Sequence, residues 1–219
     1  IEVNKNYTTN EKIDSYITPY RNHINKDLDS VISYCPETLD KSKGEWQSNI
    51  GNFMADACIE MANPVFMKQQ NKKIDIILLN SGGIRSIIPK GNITKRNAFE
   101  VMPFENSLIV IALKGEQIKA LAQHIITEKK PHPLNGLKII LNKENVIATI
   151  LFKEKPIDNN KIYYVGTSDY LANGGDNMTF FLKNEGTFDL NYKIRNVLID
   201  YFQKHKTIEA SNSPRIIKE

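Results

Sequence analysis

Two short loops hold the side chains of this 219-residue chain that are best suited to gripping a small polar ligand. The first, Leu79-Asn80-Ser81-Gly82-Gly83-Ile84-Arg85, follows directly on an apolar, β-prone run. Gly82 and Gly83 let the backbone approach a ligand closely, and Arg85 can present a planar, permanently charged fork to an anionic oxygen. Taken alone, the segment reads as a tight turn with a solvated arginine, since it has neither the lysine of a P-loop nor dinucleotide-type glycine spacing. The second loop runs from Ser168 to Asp176 and brings together Tyr170, Asn173, Gly174, Gly175 and Asp176. An aromatic face can stack on a ring, and an amide and a carboxylate can orient sugar hydroxyls. Between the two loops lies Val101-Met102-Pro103-Phe104-Glu105-Asn106, where Phe104 by itself reads as a core residue.

Metal and nucleophile chemistry finds little support in the residue pattern. His23, His124, His132 and His205 are scattered, without a His-x-His or Asp-x-His pair, and Asn22-His23 is flanked by Arg21 and Ile24 on an amphipathic segment. Cys35 and Cys58 lack metal-type spacing; they read as buried free thiols, with a single disulfide as the alternative. No Gly-x-Ser-x-Gly elbow is present.

The elements that must position these loops follow from periodicity. Helices are predicted from Asn10 to Leu28, capped by Thr8 or Thr9; from a Ser48 cap through Ile50, Phe53, Met54, Ala57 and Met61 until Pro64 ends or kinks it; from Gly115 to Lys129; and from Leu190 to Lys204. Strands are predicted at Ser30 to Tyr34, Ile74 to Leu79, Leu108 to Leu113, Leu137 to Leu141, Val146 to Phe152 and Ile162 to Thr167. Ile74 to Leu79 and Leu108 to Leu113 are near-continuous apolar runs, which suits strands covered on both faces. The mixed order predicts an α+β fold, with mixed β-sheets flanked by helices in a single domain. Residues 1–40 form a leading helix and strand and residues 41–219 the motif-bearing core. Composition agrees: 41% hydrophobic and 25% charged residues suit a globular chain, and no apolar stretch approaches the roughly 20 residues of a membrane span. A net charge of +4, spread along the chain, suits small anions better than nucleic acid, for which there is no basic aromatic platform or recognition helix. The chain begins at Ile1 rather than Met, which reads as a mature or trimmed product.

Taken together and in order, the segments resemble the C-terminal domain of the 5'-nucleotidase family. The resemblance starts at Asn49-Ile50-Gly51-Asn52-Phe53-Met54-Ala55-Asp56-Ala57 and continues through Asn80 to Arg85, Met102-Pro103-Phe104 and Leu113-Lys114-Gly115. It then reaches Tyr170 to Asp176 and ends at Pro214-Arg215-Ile216. It implies a substrate-binding domain in which Phe104 and Tyr170 sandwich a nucleobase, with Tyr in place of the family's usual Phe keeping the stacking face. It also implies Asn80 on the base, Asp176 on ribose hydroxyls and Arg85 on ribose and phosphate; Gly82, Gly83, Asn173 and Gly174 of the two loops are expected to join them in binding the substrate. Two positions depart from the family pattern: Gly44 stands where a second phosphate-binding arginine is usual, with Lys43 beside it, and Gln47 stands at a commonly acidic position.

The resemblance further implies that the divalent metal pair and the catalytic histidine sit on a separate metallophosphoesterase domain or protein, leaving no cofactor in this chain. The expected ligand is a nucleotide or nucleoside, with no nucleic acid and no membrane span. The alternative is a stand-alone extracytoplasmic nucleotide or nucleoside binder without catalytic activity. Asn-x-Thr sequons stand at Asn6, Asn92 and Asn177, the last beside the expected site, where a glycan would obstruct binding. With family habit, this favours a bacterial periplasmic or cell-surface setting, free or as a lipoprotein.

Overall fold

Alternation within the apolar runs decides where the core forms. Ile76 and Leu78 pack with Ile109, Ile111 and Leu113, whereas Ile77 and Leu79 pack with Leu108 and Val110, so successive side chains feed two separate hydrophobic clusters. A sheet lies between the clusters and is buried on both faces.

The computed structural model describes residues 10–42 and 44–219. In chain order the first elements are α1 (Glu11–Leu28), β1 (Val31–Cys35), α2 (Asn49–Gln70), β2 (Ile76–Leu78), a 3₁₀ turn (Ser81–Gly83), β3 (Gly91–Thr94), α3 (Lys95–Val101) and β4 (Ser107–Lys114). There follow α4 (Gly115–Glu128), β5 (Leu134–Asn135), β6 (Lys138–Leu141), β7 (Ile147–Phe152), β8 (Lys155–Pro156), β9 (Ile162–Ser168) and α5 (Asp169–Ala172). Two 3₁₀ turns (Gly175–Asn177 and Thr179–Leu182), β10 (Thr187–Lys193), α6 (Ile194–Lys204) and β11 (Ile216–Lys218) complete the chain.

The central sheet has the order β10-β4-β9-β2-β5, with β2 parallel to β9 and the other neighbours antiparallel. Helices α2 and α6 cover one face, where Phe53 stacks on Phe202 with centroids 6.0 Å apart and Phe66 meets Phe188 edge-on. Ile118, Leu121 and Ile125 of α4 cover the other face, together with a second sheet of order β11-β6-β7-β8. Strands β1 and β3 form a separate antiparallel pair. The architecture is the α+β fold of mixed sheets and flanking helices expected from the sequence.

Several element boundaries differ from expectation. Ser48 caps α2 as predicted, its hydroxyl accepting the Gly51 N–H at 3.2 Å, but the helix runs past Pro64 to Gln70. Packing of Ala62 and Phe66 in the core holds the segment helical despite the missing N–H. Leu190 belongs to β10, so α6 starts only at Ile194; both residues are buried in the same cluster, which is why a helical period fitted them. Asn10 rather than Thr8 or Thr9 caps α1; those two threonines and the Asn6 sequon lie outside the described residues. Helix α1 has no buried residue: Ile13, Tyr16, Tyr20 and Ile24 are exposed. Bonds from Lys95 to Asp27 and from Arg96 to Asp29 and Asn25 fasten its end to α3.

Candidate functional site

Strand pairing explains how loops distant in sequence meet. Leu108 at the start of β4 pairs with Ser168 at the end of β9, and β2 runs parallel to β9 with Ile77 beside Gly166. The exit of β2, the exit of β9 and the entrance of β4 therefore share one end of three adjacent strands. Phe104 and Tyr170, 66 positions apart, come to line one cavity of about 290 Å³ together with Asn80, Gly82, Gly83 and Asp176. Phe104 is 43% exposed and Tyr170 48%, so neither ring is consumed by the core.

Hydrogen bonds tie the polar groups of the cavity to one another. Asp176 accepts from Asn80 Nδ2 at 2.6 Å on Oδ2 and from the Tyr170 hydroxyl at 2.8 Å on Oδ1. The same hydroxyl accepts the Asp176 backbone N–H at 3.2 Å. A carboxylate offers about four acceptor sites, so two remain for hydroxyl donors. Asp176 holds a left-handed backbone, φ 51°, inside its 3₁₀ turn, an uncommon conformation for a residue other than glycine. Gly175 is required next to it, because a Cβ there would stand 2.5 Å from the Tyr170 ring.

The spacing between the aromatic-bearing loops is set by Asp169. Its carboxylate accepts from Asn106 Nδ2 at 2.8 Å and from the Ser107 N–H at 3.1 Å, and its Oδ1 also accepts the Tyr170 N–H at 2.8 Å. One side chain thus joins the loop after Phe104 to the loop that opens with Tyr170. From the other side, Lys41 Nζ donates to the Ile84 carbonyl at 2.6 Å and the Ser81 carbonyl at 3.3 Å, clasping the glycine loop.

Three expected residues lie off the cavity wall. Arg85 is exposed, and among the described residues its guanidinium reaches only the Gly82 carbonyl, at 3.4 Å. Asn173 and Gly174 border a separate open depression behind Tyr170, and Asn173 commits its Nδ2 to the Asp169 carbonyl at 2.8 Å as the end cap of α5. Sequence reasoning missed Leu79, Met102, Asn106, Ser168 and Ile194, which complete the lining, and the roles of Asp169 and Gly175. An aspartate following a strand directly, as Asp169 does, was the available signal.

The two departures near α2 have structural accounts. Gly44 has φ 97°, and a Cβ there would stand 2.0 Å from the Gln47 carbonyl oxygen. Gln47 Oε1 accepts the N–H groups of Arg215 and Ile216 at 2.7 and 3.2 Å, anchoring the start of β11; Lys43 lies outside the described residues. Cys35 and Cys58 are free and buried, and burial pushes the Cys58 thiol up to about 12. Among the described residues no three His, Cys, Asp or Glu side chains gather where they could hold a metal ion. No helix of the described residues is long and apolar enough to cross a membrane.

The 5'-nucleotidase, C-terminal domain family matches residues 36–183. The chain belongs to this family. An apyrase of Tabanus yao is 28% identical over 188 residues, covering 77% of this chain and 34% of the apyrase. Protein UshA of Yersinia enterocolitica is 26% identical over 204 residues, covering 89% of this chain and 35% of that protein. The crystal structure of a 5'-nucleotidase precursor from Thermus thermophilus superposes with a TM-score of 0.77 at 26% identity, over 95% of this chain and 42% of the precursor. The chain thus spans about a third of the length of these two curated relatives.

Proposed function

We propose that these residues form the nucleotide-binding part of a two-part 5'-nucleotidase-type hydrolase that releases phosphate from nucleotides. The observation that carries the reading is two half-exposed rings, Phe104 and Tyr170, on one cavity that also holds the Asn80–Asp176 bond. A planar base enters between the rings and gains stacking that tolerates different bases. Asn80 meets the base edge, and Asp176 accepts from ribose hydroxyls with its two remaining sites. A volume of about 290 Å³ is near the bottom of the roughly 300–1,000 Å³ range of small-molecule sites. That suits a nucleoside better than a whole nucleotide, which leaves the phosphate at the mouth, within the sweep of the exposed Arg85.

Hydrolysis belongs, in this proposal, to a metallophosphoesterase domain or protein carrying the divalent metal pair, with the parent molecule extracytoplasmic in a bacterial periplasm or at a cell surface. Calorimetry with adenosine and AMP tests the binding half. Phe104→Ala is expected to cost roughly 1–3 kcal/mol of affinity for both ligands. Its melting temperature should stay close to the parent's, because truncating a true core phenylalanine would cost about 3–5 kcal/mol of stability. A parent chain that ignores both ligands at millimolar concentration, or a Phe104→Ala variant that melts far below it, would overturn the reading. Phosphate release from AMP is expected only when the dimetal partner is supplied.

A further inference from the structure

His132 carries a signal that no part of the nucleotide reading uses. It is 4% exposed, and its Nε2 has no hydrogen-bond partner among the described residues, as is true of Nε2 of neighbouring His124. The two rings lie 6.3 Å apart, with Phe180 edge-on to His124. Burying a polar atom without a partner is unfavourable, so the reason for placing an imidazole here must lie with the ring's other nitrogen. His132 Nδ1 accepts the Ser81 backbone N–H at 3.2 Å.

The position of that bond along the sheet explains its use. Leu134 of β5 pairs with Leu78 of β2, and the Leu79 N–H donates to the Pro133 carbonyl at 2.9 Å. One step further, the chain turns into Asn80, Gly82 and Gly83, and no backbone acceptor among the described residues takes the Ser81 N–H; the imidazole takes it instead. The ladder therefore continues through a side chain to the point where the ligand loop departs. The acceptor is itself held: His132 donates its own backbone N–H to the Lys130 carbonyl at 2.8 Å, prolines flank it on both sides, and a Cβ at Gly51 of α2 would come into van der Waals contact with Pro131 and Pro133.

We propose that His132 is a positioning residue of the nucleotide site, whose neutral imidazole fixes the Asn80–Gly83 arm by accepting the Ser81 N–H. This rests on the nucleotide-binding reading of that arm. A backbone N–H can be accepted only by an unprotonated Nδ1, so the ring is the Nε2–H tautomer. The charged form would set two N–H groups against each other. Burial already disfavours it, pushing the His132 pKa down to about 4 with help from His124 and Lys130, against the opposing pull of Asp176 and Glu128.

Long-range ¹H–¹⁵N spectra of the chain at neutral pH read the tautomer without any ligand, and hydrogen exchange reads protection of the Ser81 amide. Expected are a protonated Nε2, a bare Nδ1 and a Ser81 amide that loses protection in His132→Leu. Titrating adenosine and AMP should then find His132→Leu weakened about five- to tenfold for both, from one lost anchoring bond. His132→Asn, whose Oδ1 can reach the place of Nδ1, should stay within about twofold of the parent. An Nδ1–H tautomer, or parent-like binding by His132→Leu, overturns the proposal. If His132→Leu fails to fold, the tautomer and the affinity of His132→Asn decide. A parent chain that binds neither ligand would sink the nucleotide reading instead, while the tautomer and the Ser81 protection would still decide whether His132 holds the loop.

Discussion

The Tyr170 hydroxyl offers a test of how finely the proposed ribose end of the site is built. Judged from its ring alone, Tyr170→Phe should be silent, since the stacking face is unchanged. The structure gives the oxygen two partners in one residue: it donates to Asp176 Oδ1 at 2.8 Å and accepts the Asp176 N–H at 3.2 Å. A hydrogen bond to a charged acceptor contributes about 1.5–3 kcal/mol when sheltered, and exposure of both residues moves this toward about 1 kcal/mol. Asp176 also holds φ 51°, a conformation whose cost the tether helps to offset. Losing the hydroxyl leaves the carboxylate with Asn80 Nδ2 as its side-chain donor and lets its turn relax.

Calorimetry of Tyr170→Phe with adenine, adenosine, 2'-deoxyadenosine and 3'-deoxyadenosine separates stacking from hydroxyl recognition. Adenine should bind as it does to the parent. Adenosine should weaken by about 1 kcal/mol, roughly fivefold, and the deoxynucleosides by less, so that the advantage of ribose over deoxyribose shrinks. Equal losses for adenine and adenosine, or no loss at all, would refute the reasoning that places Asp176 on the sugar through Tyr170.

Other substitutions probe the proposed phosphate end. Arg85→Ala should weaken AMP by roughly 1–2 kcal/mol and adenosine hardly at all, since a charge-assisted bond to an anion is lost; equal effects on the two in calorimetry would remove Arg85 from the phosphate. Gly44→Arg, which writes the family's usual arginine into this chain, should lower the melting temperature and leave AMP affinity no higher, because φ 97° and a Cβ 2.0 Å from the Gln47 oxygen both oppose any side chain there. A stable Gly44→Arg variant with tighter AMP binding would show that the loop re-forms around the new residue.

Periodicity located the central strands because burial on both faces leaves an almost unbroken apolar run, as in Leu108 to Leu113, and few other arrangements tolerate one. It misread Leu190 because a strand residue and the helix after it fill the same cluster, so their spacing mimics one helical face. Strand β3 and helix α3 were missed: Gly91–Thr94 is short and half polar, and its partner β1 lies far back in sequence. The cavity's rings and carboxylate could be read from residue type and order. The Asp169 bridge could be suspected from an aspartate directly after a strand but not assigned partners, since these depend on the antiparallel pairing that brings Ser107 to it. The role of His132 could not be read: on a short segment between prolines nothing in the sequence distinguishes an acceptor for a distant backbone N–H from a buried ring.

The site is uneven in a way that bears on its division of labour. At the proposed nucleoside end the polar groups hold one another: Asn80 is fixed by Asp176, Asp176 by Tyr170, and the two aromatic-bearing loops by Asp169. Little conformational freedom remains to be lost there when a base and sugar enter, which is the advantage of a prebuilt site. At the proposed phosphate end Arg85 has, among the described residues, only a 3.4 Å contact to the Gly82 carbonyl, the long limit of a hydrogen bond, so turning toward an anion costs it little. Gly44, where the family pattern has a second arginine, has φ 97° and no room for a Cβ beside the Gln47 carbonyl oxygen. On the proposed reading, a domain that clamps the nucleoside and leaves the phosphate loosely held would present the scissile group outward, where a metal-bearing partner could take hold of it without first displacing strong ligands of this chain.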